Sequence, residues 1–319
     1  MVPCRSSAPG IRRRNFLGAL AALQVSSCFP VAGDTTRQPA LTVVFVSGVE
    51  AYLEAVSGLR AGLANLVPSP VFIDLKSPHA EAELTAALGT GQERVVIAVG
   101  TEALTAVASR KAEAVIVPTM IVRSDRPLNS LATSPIQRPS GVYLDVPLVS
   151  ILSELRILLP GKNQFGLIRN ASREEADPLL RARAEQQGFT LHAAECSRPE
   201  DLVKSFLSLK GKADFVVLLP DSSLYNGTTV RPLILASLES RLPLVGFSAS
   251  FVRAGAALGI YPDFRDVGSQ TADVVQKLIA GKSGMADESP RKLQIAVNQK
   301  VLRLLGLTYN ETPNLVVFR

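Results

Sequence analysis

Residues 94–103 read Arg94-Val95-Val96-Ile97-Ala98-Val99-Gly100-Thr101-Glu102-Ala103. The run from Val95 to Val99 is apolar without alternation and too short for a helix, which is how a strand covered on both faces reads. Gly100 breaks it, and a helix is predicted over 101–110. Strand, glycine turn and helix make one βα unit, and the chain repeats that unit in both directions. Upstream, strands are predicted over 41–46 and 71–75, and helices over 50–66 and 80–88. The first of these helices carries Leu53, Val56, Leu59, Leu63 and Leu66 at helical spacing. A strand over 114–117 completes the first series. Residues 123–140 interrupt it with Pro127, Pro135 and Pro139 among polar residues, as a linker does. The alternation then resumes, with strands over 141–144, 165–169, 190–194, 215–219, 244–247, 258–261 and 293–297. Helices are predicted over 146–158, 173–187, 199–209, 229–239, 266–279 and 299–305, the 266–279 helix ending at Gly281.

This pattern implies an α/β fold of two Rossmann-like lobes, each built on a parallel sheet, joined by a hinge. The expected organisation is an N-terminal lobe over 41–140, a C-terminal lobe over 141–257, and a closing segment over 258–319 that returns partly to the first lobe. Hinge strands are expected near 117–120, 140–142 and 246–250. Ligands of such folds bind outside the carboxyl ends of the strands, so the informative residues stand just after strands.

Composition narrows the function. The chain has 319 residues, 47% hydrophobic and 19% charged, enough for two substantial cores. It has no Trp, two His and three Cys, which leaves little for stacking platforms, a metal cage or a disulfide framework. The net charge of +6 suggests nucleic acid until the charges are placed. Arg5, Arg12, Arg13 and Arg14, with no acid among residues 1–27, supply +4 of it. The rest is nearly neutral and its basic residues are scattered, so there is little drive toward phosphate backbones. Nucleic acid is not an expected partner.

Residues 1–27 read as an export address. Arg12-Arg13-Arg14 precedes roughly a dozen apolar residues, signal-peptide geometry too short for a bilayer core of about 30 Å. Arg13-Arg14-Asn15-Phe16-Leu17 resembles the twin-arginine export motif. Val25-Ser26-Ser27-Cys28 resembles a lipobox, in which Cys28 takes the lipid; the other reading is an incidental Cys beside an ordinary cleavage site. Residues 28–40 then form a tether, and the protein is expected in the periplasm or cell envelope, held to a membrane by lipid. After processing only Cys196 remains. With His192 nearby it suggests a Cys/His pair, against a Cys that merely closes a strand.

The loops after strands offer Ser47-Gly48, Gly100-Thr101, Pro220-Asp221-Ser222-Ser223 and Ser248-Ala249-Ser250. Small hydroxyl residues beside free helix N–H groups suit a carboxylate or other anion. Ser47, Gly48, Gly100, Thr101, Asp221, Ser222, Ser248 and Asp263 are therefore the candidate ligand-binding residues. Thr101, Asp221 and Asp263 have a rival reading as helix caps. No nucleophile elbow, phosphate loop or dinucleotide fingerprint occurs, His79 and His192 pair with no nucleophile, and Glu81, Glu83, Glu174 and Glu175 fall on solvated helix faces. Neither catalysis, a cofactor nor a metal site is expected.

The order of motifs resembles the substrate-binding lipoproteins of ABC transporters with the periplasmic type I binding-protein fold, in the branch that includes aromatic-amino-acid binders. Gly100-Thr101-Glu102-Ala103 matches that family's Gly-Thr-x-Ala. Ser140-Gly141-Val142, Leu158-Leu159-Pro160-Gly161 and Phe165-Gly166-Leu167-Ile168 match the start of its second lobe. Pro220-Asp221, Pro243-Leu244-Val245-Gly246-Phe247, Val252-Arg253-Ala254-Gly255-Ala256, Tyr261 with Gly268, and Asn298 with Leu305-Gly306-Leu307 follow in order. The resemblance spans about 41–307. It departs from the family at Met120-Ile121-Val122-Arg123-Ser124-Asp125-Arg126-Pro127, where an Asp-Pro step is usual, and only Tyr52, Tyr225, Phe247 and Tyr261 offer aromatic rings near the loops. The resemblance implies capture of a small molecule, an amino acid or related carboxylate, for an ABC permease in the membrane. A second possibility is a non-transport lipoprotein of the same fold, a ligand sensor for a membrane kinase or an envelope adaptor.

Overall fold

The computed structural model describes residues 40–66, 69–89, 94–110, 114–123, 140–170, 177–221, 223–282 and 285–319. The export address, Cys28, the tether, most of the proline-rich 123–140 segment and Ser222 lie outside these residues.

The first sheet holds β1 (Ala40–Phe45), β2 (Val71–Asp74), β3 (Arg94–Val99) and β4 (Val115–Thr119) in the order β2-β1-β3-β4. All its pairs are parallel. α1 (Glu50–Gly62), α2 (Ala80–Leu88) and α3 (Thr101–Ala108) connect the strands. The absence of alternation in β3 has a direct cause. Val95, Ile97 and Val99 enter the core shared with α1, while Val96 and Ala98 enter the one under α2 and α3. Successive side chains point to opposite faces, and both faces are covered, so every position must be apolar.

The second sheet has seven strands, β5 (Gln164–Asn170), β6 (Thr190–Cys196), β7 (Phe215–Val217), β8 (Leu244–Gly246), β9 (Leu258–Pro262), β10 (Leu293–Asn298) and β11 (Leu315–Phe318). Their order is β11-β10-β9-β8-β7-β5-β6. Every pair is parallel except β9 with β10. α4 (Leu148–Leu158), α5 (Asp177–Gln186) and α10 (Gln299–Leu305) pack on one face; α6 (Leu202–Leu207), α7 (Val230–Ser240) and α8 (Ala249–Ala254) on the other. β7 repeats the two-sided partition, Phe215 and Val217 to the first core and Val216 to the second. Phe165, Phe189 and Phe215 form a ring cluster there with centroids 6.1 to 6.4 Å apart, each burial contributing roughly 1.5–3 kcal/mol.

α9 (Phe264–Ile279) leaves the second sheet after β9 and packs on α1 of the first lobe. The crossing is set by glycines. A Cβ on Gly268 would lie 1.9 Å from the Ala55 carbonyl oxygen, and one on Gly58 2.0 Å from that of Arg265. The chain then returns through residues 285–292, which are fastened to α9. Arg291 reaches Asp266 at 2.9 Å and Asp273 at 2.6 Å, Lys292 reaches Asp266 at 3.1 Å, and the Gln270 side-chain amide donates to Glu288 at 2.7 Å.

Three expectations need correction. Residues 141–144 form no strand of either sheet: Val142 makes single bridges to Thr119 and Glu288, and the backbone bonds beside it, Tyr143 to Glu288 and Leu144 to Ile121, do not extend into a ladder. Residues 246–250 are not a hinge; they are the turn from β8 to α8, inside the second lobe. The crossings lie instead at the end of β4 with residues 140–144, after β9, and at 285–292. Finally, β11 was not expected, and β10 runs against β9, so the second sheet is mixed.

Candidate functional site

The carboxyl ends of the parallel strands carry the loops singled out above. After β1, the Ser47 amide donates to Asp74 Oδ1 at 2.9 Å, and the Lys76 amide donates to the same oxygen at 3.0 Å. Burial alone would raise Asp74, but these bonds, the Ser47 hydroxyl and the Lys76 charge outweigh it and hold the carboxyl below its usual range. Gly48 has φ +89, and a Cβ there would meet the Lys76 ammonium at 2.8 Å. The turn is thus tied to the end of β2.

Gly100 follows β3 with φ +88, a conformation glycine adopts without cost. Its amide donates to the Thr119 carbonyl at 2.9 Å. The Tyr52 ring of α1 lies directly on it: a Cβ at Gly100 would be 2.5 Å from Cζ and 2.7 Å from the hydroxyl oxygen. Burial, then the Glu102 charge, raises the Tyr52 phenol above its ordinary value. The N-cap of α3 is Gly100, so Thr101 is not the cap that one reading made it. Thr101 is exposed, and its hydroxyl makes no hydrogen bond among the described residues. The crossing segment starts next door at Met120, 2% exposed with φ +59, a strained conformation for a residue with a side chain.

On the second lobe, Asp221 follows β7 after Pro220. Its Oδ1 accepts from the Ser223 amide at 2.9 Å and from the Ser223 hydroxyl. That hydroxyl accepts in turn from the Asn170 side-chain amide, 2.8 Å away at the end of β5. Asp221 therefore caps its own loop rather than a helix; the cap of α7 is Thr229. Tyr225 is anchored to the same turn, its amide donating to the Asp221 carbonyl at 2.9 Å. Its ring packs on Phe247 and Phe251 at 5.8 and 6.3 Å.

Ser248 and Asp263 do structural work. Ser248 caps α8, its hydroxyl accepting from the Phe251 amide at 3.3 Å. Asp263 caps α9, accepting from the Asp266 amide at 3.0 Å and from the Gln294 side chain at 2.9 Å. Tyr261 is raised by burial and then by Glu54 of α1. Cys196 closes β6, 1% exposed, with its thiol 3.1 Å from the Arg198 carbonyl, while His192 faces Gln164 at 2.8 Å. The two do not pair. Among the described residues, no three His, Cys, Asp or Glu side chains group to hold a metal ion, and no helix is long and apolar enough to cross a membrane.

The sequence reading missed Tyr52 as a cover on Gly100, and it missed Asn170 altogether. A tyrosine two residues into a helix and an asparagine ending a strand carry no local signal of a partner about 50 residues away.

Residues 41–316 match the model of a family described as ABC transporter substrate binding protein. No curated protein matches the chain. Among solved structures, it is similar to the ligand-free, open form of CD0873, a substrate binding protein with adhesive properties from Clostridium difficile. The identity is 16% and the TM-score 0.60, over 88% of this chain and 99% of that one. It is also similar to a conserved domain protein from Vibrio cholerae O1 biovar El Tor, at 20% identity and TM-score 0.53, with the same coverage. These likenesses show the type I periplasmic binding-protein fold. The chain belongs to the ABC transporter substrate-binding protein family.

Proposed function

We propose that the chain captures a small solute carrying a carboxylate or similar anionic group, an amino acid or a close relative, between its two lobes and hands it to a membrane permease. One observation carries this reading: at the end of β3 the exposed Thr101 hydroxyl is not spent on capping and stands beside the first-turn amides of α3, which have no partner among the described residues. Asp221, oriented by Ser223 and Asn170, supplies the opposite charge for an ammonium on the second lobe. The Tyr52 ring on Gly100 means that the ligand meets an aromatic face there rather than bare backbone. Ser47 and Gly48 shape the neighbouring turn, and Ser222 belongs to the Asp221 loop. Ser248 and Asp263 act through the helices they cap. Lipid on Cys28, with residues 28–40 as tether, keeps the lobes at the membrane in this reading. The test is thermal-shift screening of the mature protein against amino acids and other small carboxylates. A cognate solute raises the midpoint with concentration; no shift through millimolar ranges removes the reading.

A further inference from the structure

Two glycines at the carboxyl rim of the first sheet are covered in the same way. Gly48, after β1, has φ +89, and a Cβ on it would lie 2.8 Å from the Lys76 ammonium. Gly100, after β3, has φ +88, and a Cβ on it would lie 2.7 Å from the Tyr52 hydroxyl oxygen. β1 and β3 are direct parallel partners, so the two turns belong to strands about 4.8 Å apart. Neither polar tip is spent inside the protein. Among the described residues, the Lys76 ammonium makes no ion pair or hydrogen bond and the Tyr52 hydroxyl makes no hydrogen bond. Lys76 is exposed and Tyr52 is half-buried. Asp74 uses its Oδ1 on the amides of Ser47 and Lys76 and does not pair with the ammonium. Phenylalanine would cover Gly100 equally well, so the phenol oxygen adds nothing to that contact. Burial, then the Glu102 charge, keeps the phenol protonated, a donor at physiological pH. Asp74 and Glu102 also bring negative charge to this rim, which would repel an anion unless a cation stood beside it, and Lys76 is that cation.

We propose that Lys76 and Tyr52 are ligand-binding residues of the first lobe, the ammonium over Gly48 and the phenol over Gly100 donating to the same anionic group that meets Thr101 and the first-turn amides of α3. This deepens the proposed capture of an anionic solute and rests on it. The class of ligand is thereby narrowed to molecules with a full negative charge on oxygen. A neutral carbonyl in that place would strip water from the ammonium without replacing it by an opposite charge, so the primary amide of a bound acid is rejected.

The experiment compares wild type, Lys76→Gln, Tyr52→Phe and Thr101→Ala as full-length processed proteins, with Lys210→Gln as a control for loss of an exposed charge elsewhere. Each is melted without ligand and then titrated with the twenty L-amino acids and their primary amides. Lys76→Gln and Tyr52→Phe should melt as wild type, because neither polar tip is bonded within the protein. Lys76→Gln should bind the acid that wild type takes at least tenfold more weakly, and Tyr52→Phe several-fold more weakly, while Lys210→Gln binds it unchanged. Added salt should weaken wild type more than Lys76→Gln. If both variants bind as wild type while Thr101→Ala binds weakly, this proposal is wrong and the capture of an anionic solute stands. If wild type takes an amide as tightly as its acid, Lys76 does not select for charge and the proposal also falls. If Thr101→Ala binds as wild type too, or wild type binds none of the probes, the rim is not the anion site and both readings fall together.

Discussion

Replacing Gly268 with alanine tests what joins the closing segment to the first lobe. In an exposed helix interior, Gly→Ala stabilises by about 1 kcal/mol through helix propensity. Here the added Cβ would sit 1.9 Å from the Ala55 carbonyl oxygen, 2.8 Å from its carbon and 2.9 Å from the Leu59 amide nitrogen. All three are backbone atoms, so no rotamer change relieves the clash. α1 and α9 must part by at least 1.1 Å to bring the closest contact from 1.9 to 3.0 Å. A gap of about 1 Å forfeits up to half of each dispersion contact along the seam. That seam holds Ala55, Leu59, Val267, Ala272 and Val275, all nearly inaccessible. Overpacking typically costs about 1–3 kcal/mol, and a clash with rigid backbone belongs at the upper end. After the propensity gain, Gly268→Ala should lose about 1–2 kcal/mol, read as a lower urea midpoint at unchanged slope. Gly58→Ala meets the Arg265 carbonyl at 2.0 Å and should behave alike. The double variant should lose less than the sum, since helices already parted accommodate the second methyl. A midpoint for Gly268→Ala equal to or above wild type would refute the close crossing.

Gly100→Ala should destabilise by about 1–3 kcal/mol in thermal melts, from its φ of +88 and the Tyr52 ring, and Tyr52→Ala should recover only the ring's share. Asp266→Asn removes a carboxylate that is 8% exposed, but its partners Arg291 and Lys292 are 45% and 67% exposed and stay hydrated. The loss should therefore be about 1 kcal/mol rather than that of a fully buried pair, with faster amide exchange confined to residues 285–292. The raised phenols set an alkaline limit. The folded state keeps a proton on Tyr225 that the unfolded chain loses near its ordinary value of 10.0, so stability is full below pH 10 and falls as pH rises above it. In urea titrations Tyr225→Phe should flatten that fall, and an unchanged slope would count against the buried phenol.

How much of this was readable in the sequence depended on whether the cause was local. β3 and α3 were legible because two-sided burial forces every strand position to be apolar and only glycine suits the turn at Gly100. α2 and α10 were placed to the residue. Residues 141–144, although rich in strand-forming side chains, form isolated bridges at Val142 alone, because what pairs with them is set by the segments around Thr119 and Glu288 and not by their own pattern. β11 is four residues long, and its pairing to β10 is invisible to periodicity. In the candidate site, Ser248 and Asp263 stand where serine and aspartate commonly start helices, and the structure shows them capping. The Asn170–Ser223–Asp221 relay spans 53 residues between its first two members, and Tyr52 meets Gly100 only through the packing of α1 beside β3. Such contacts are properties of the fold rather than of any segment.

A solute bearing an anionic group next to a nitrogen donor is proposed to bind between Thr101 and Asp221. Isothermal titration of the processed protein with the ligand found by screening measures this directly. The expected result is saturable one-to-one binding that Thr101→Ala weakens and Asp221→Asn weakens independently, with both variants melting close to wild type. Binding that neither substitution alters would contradict it.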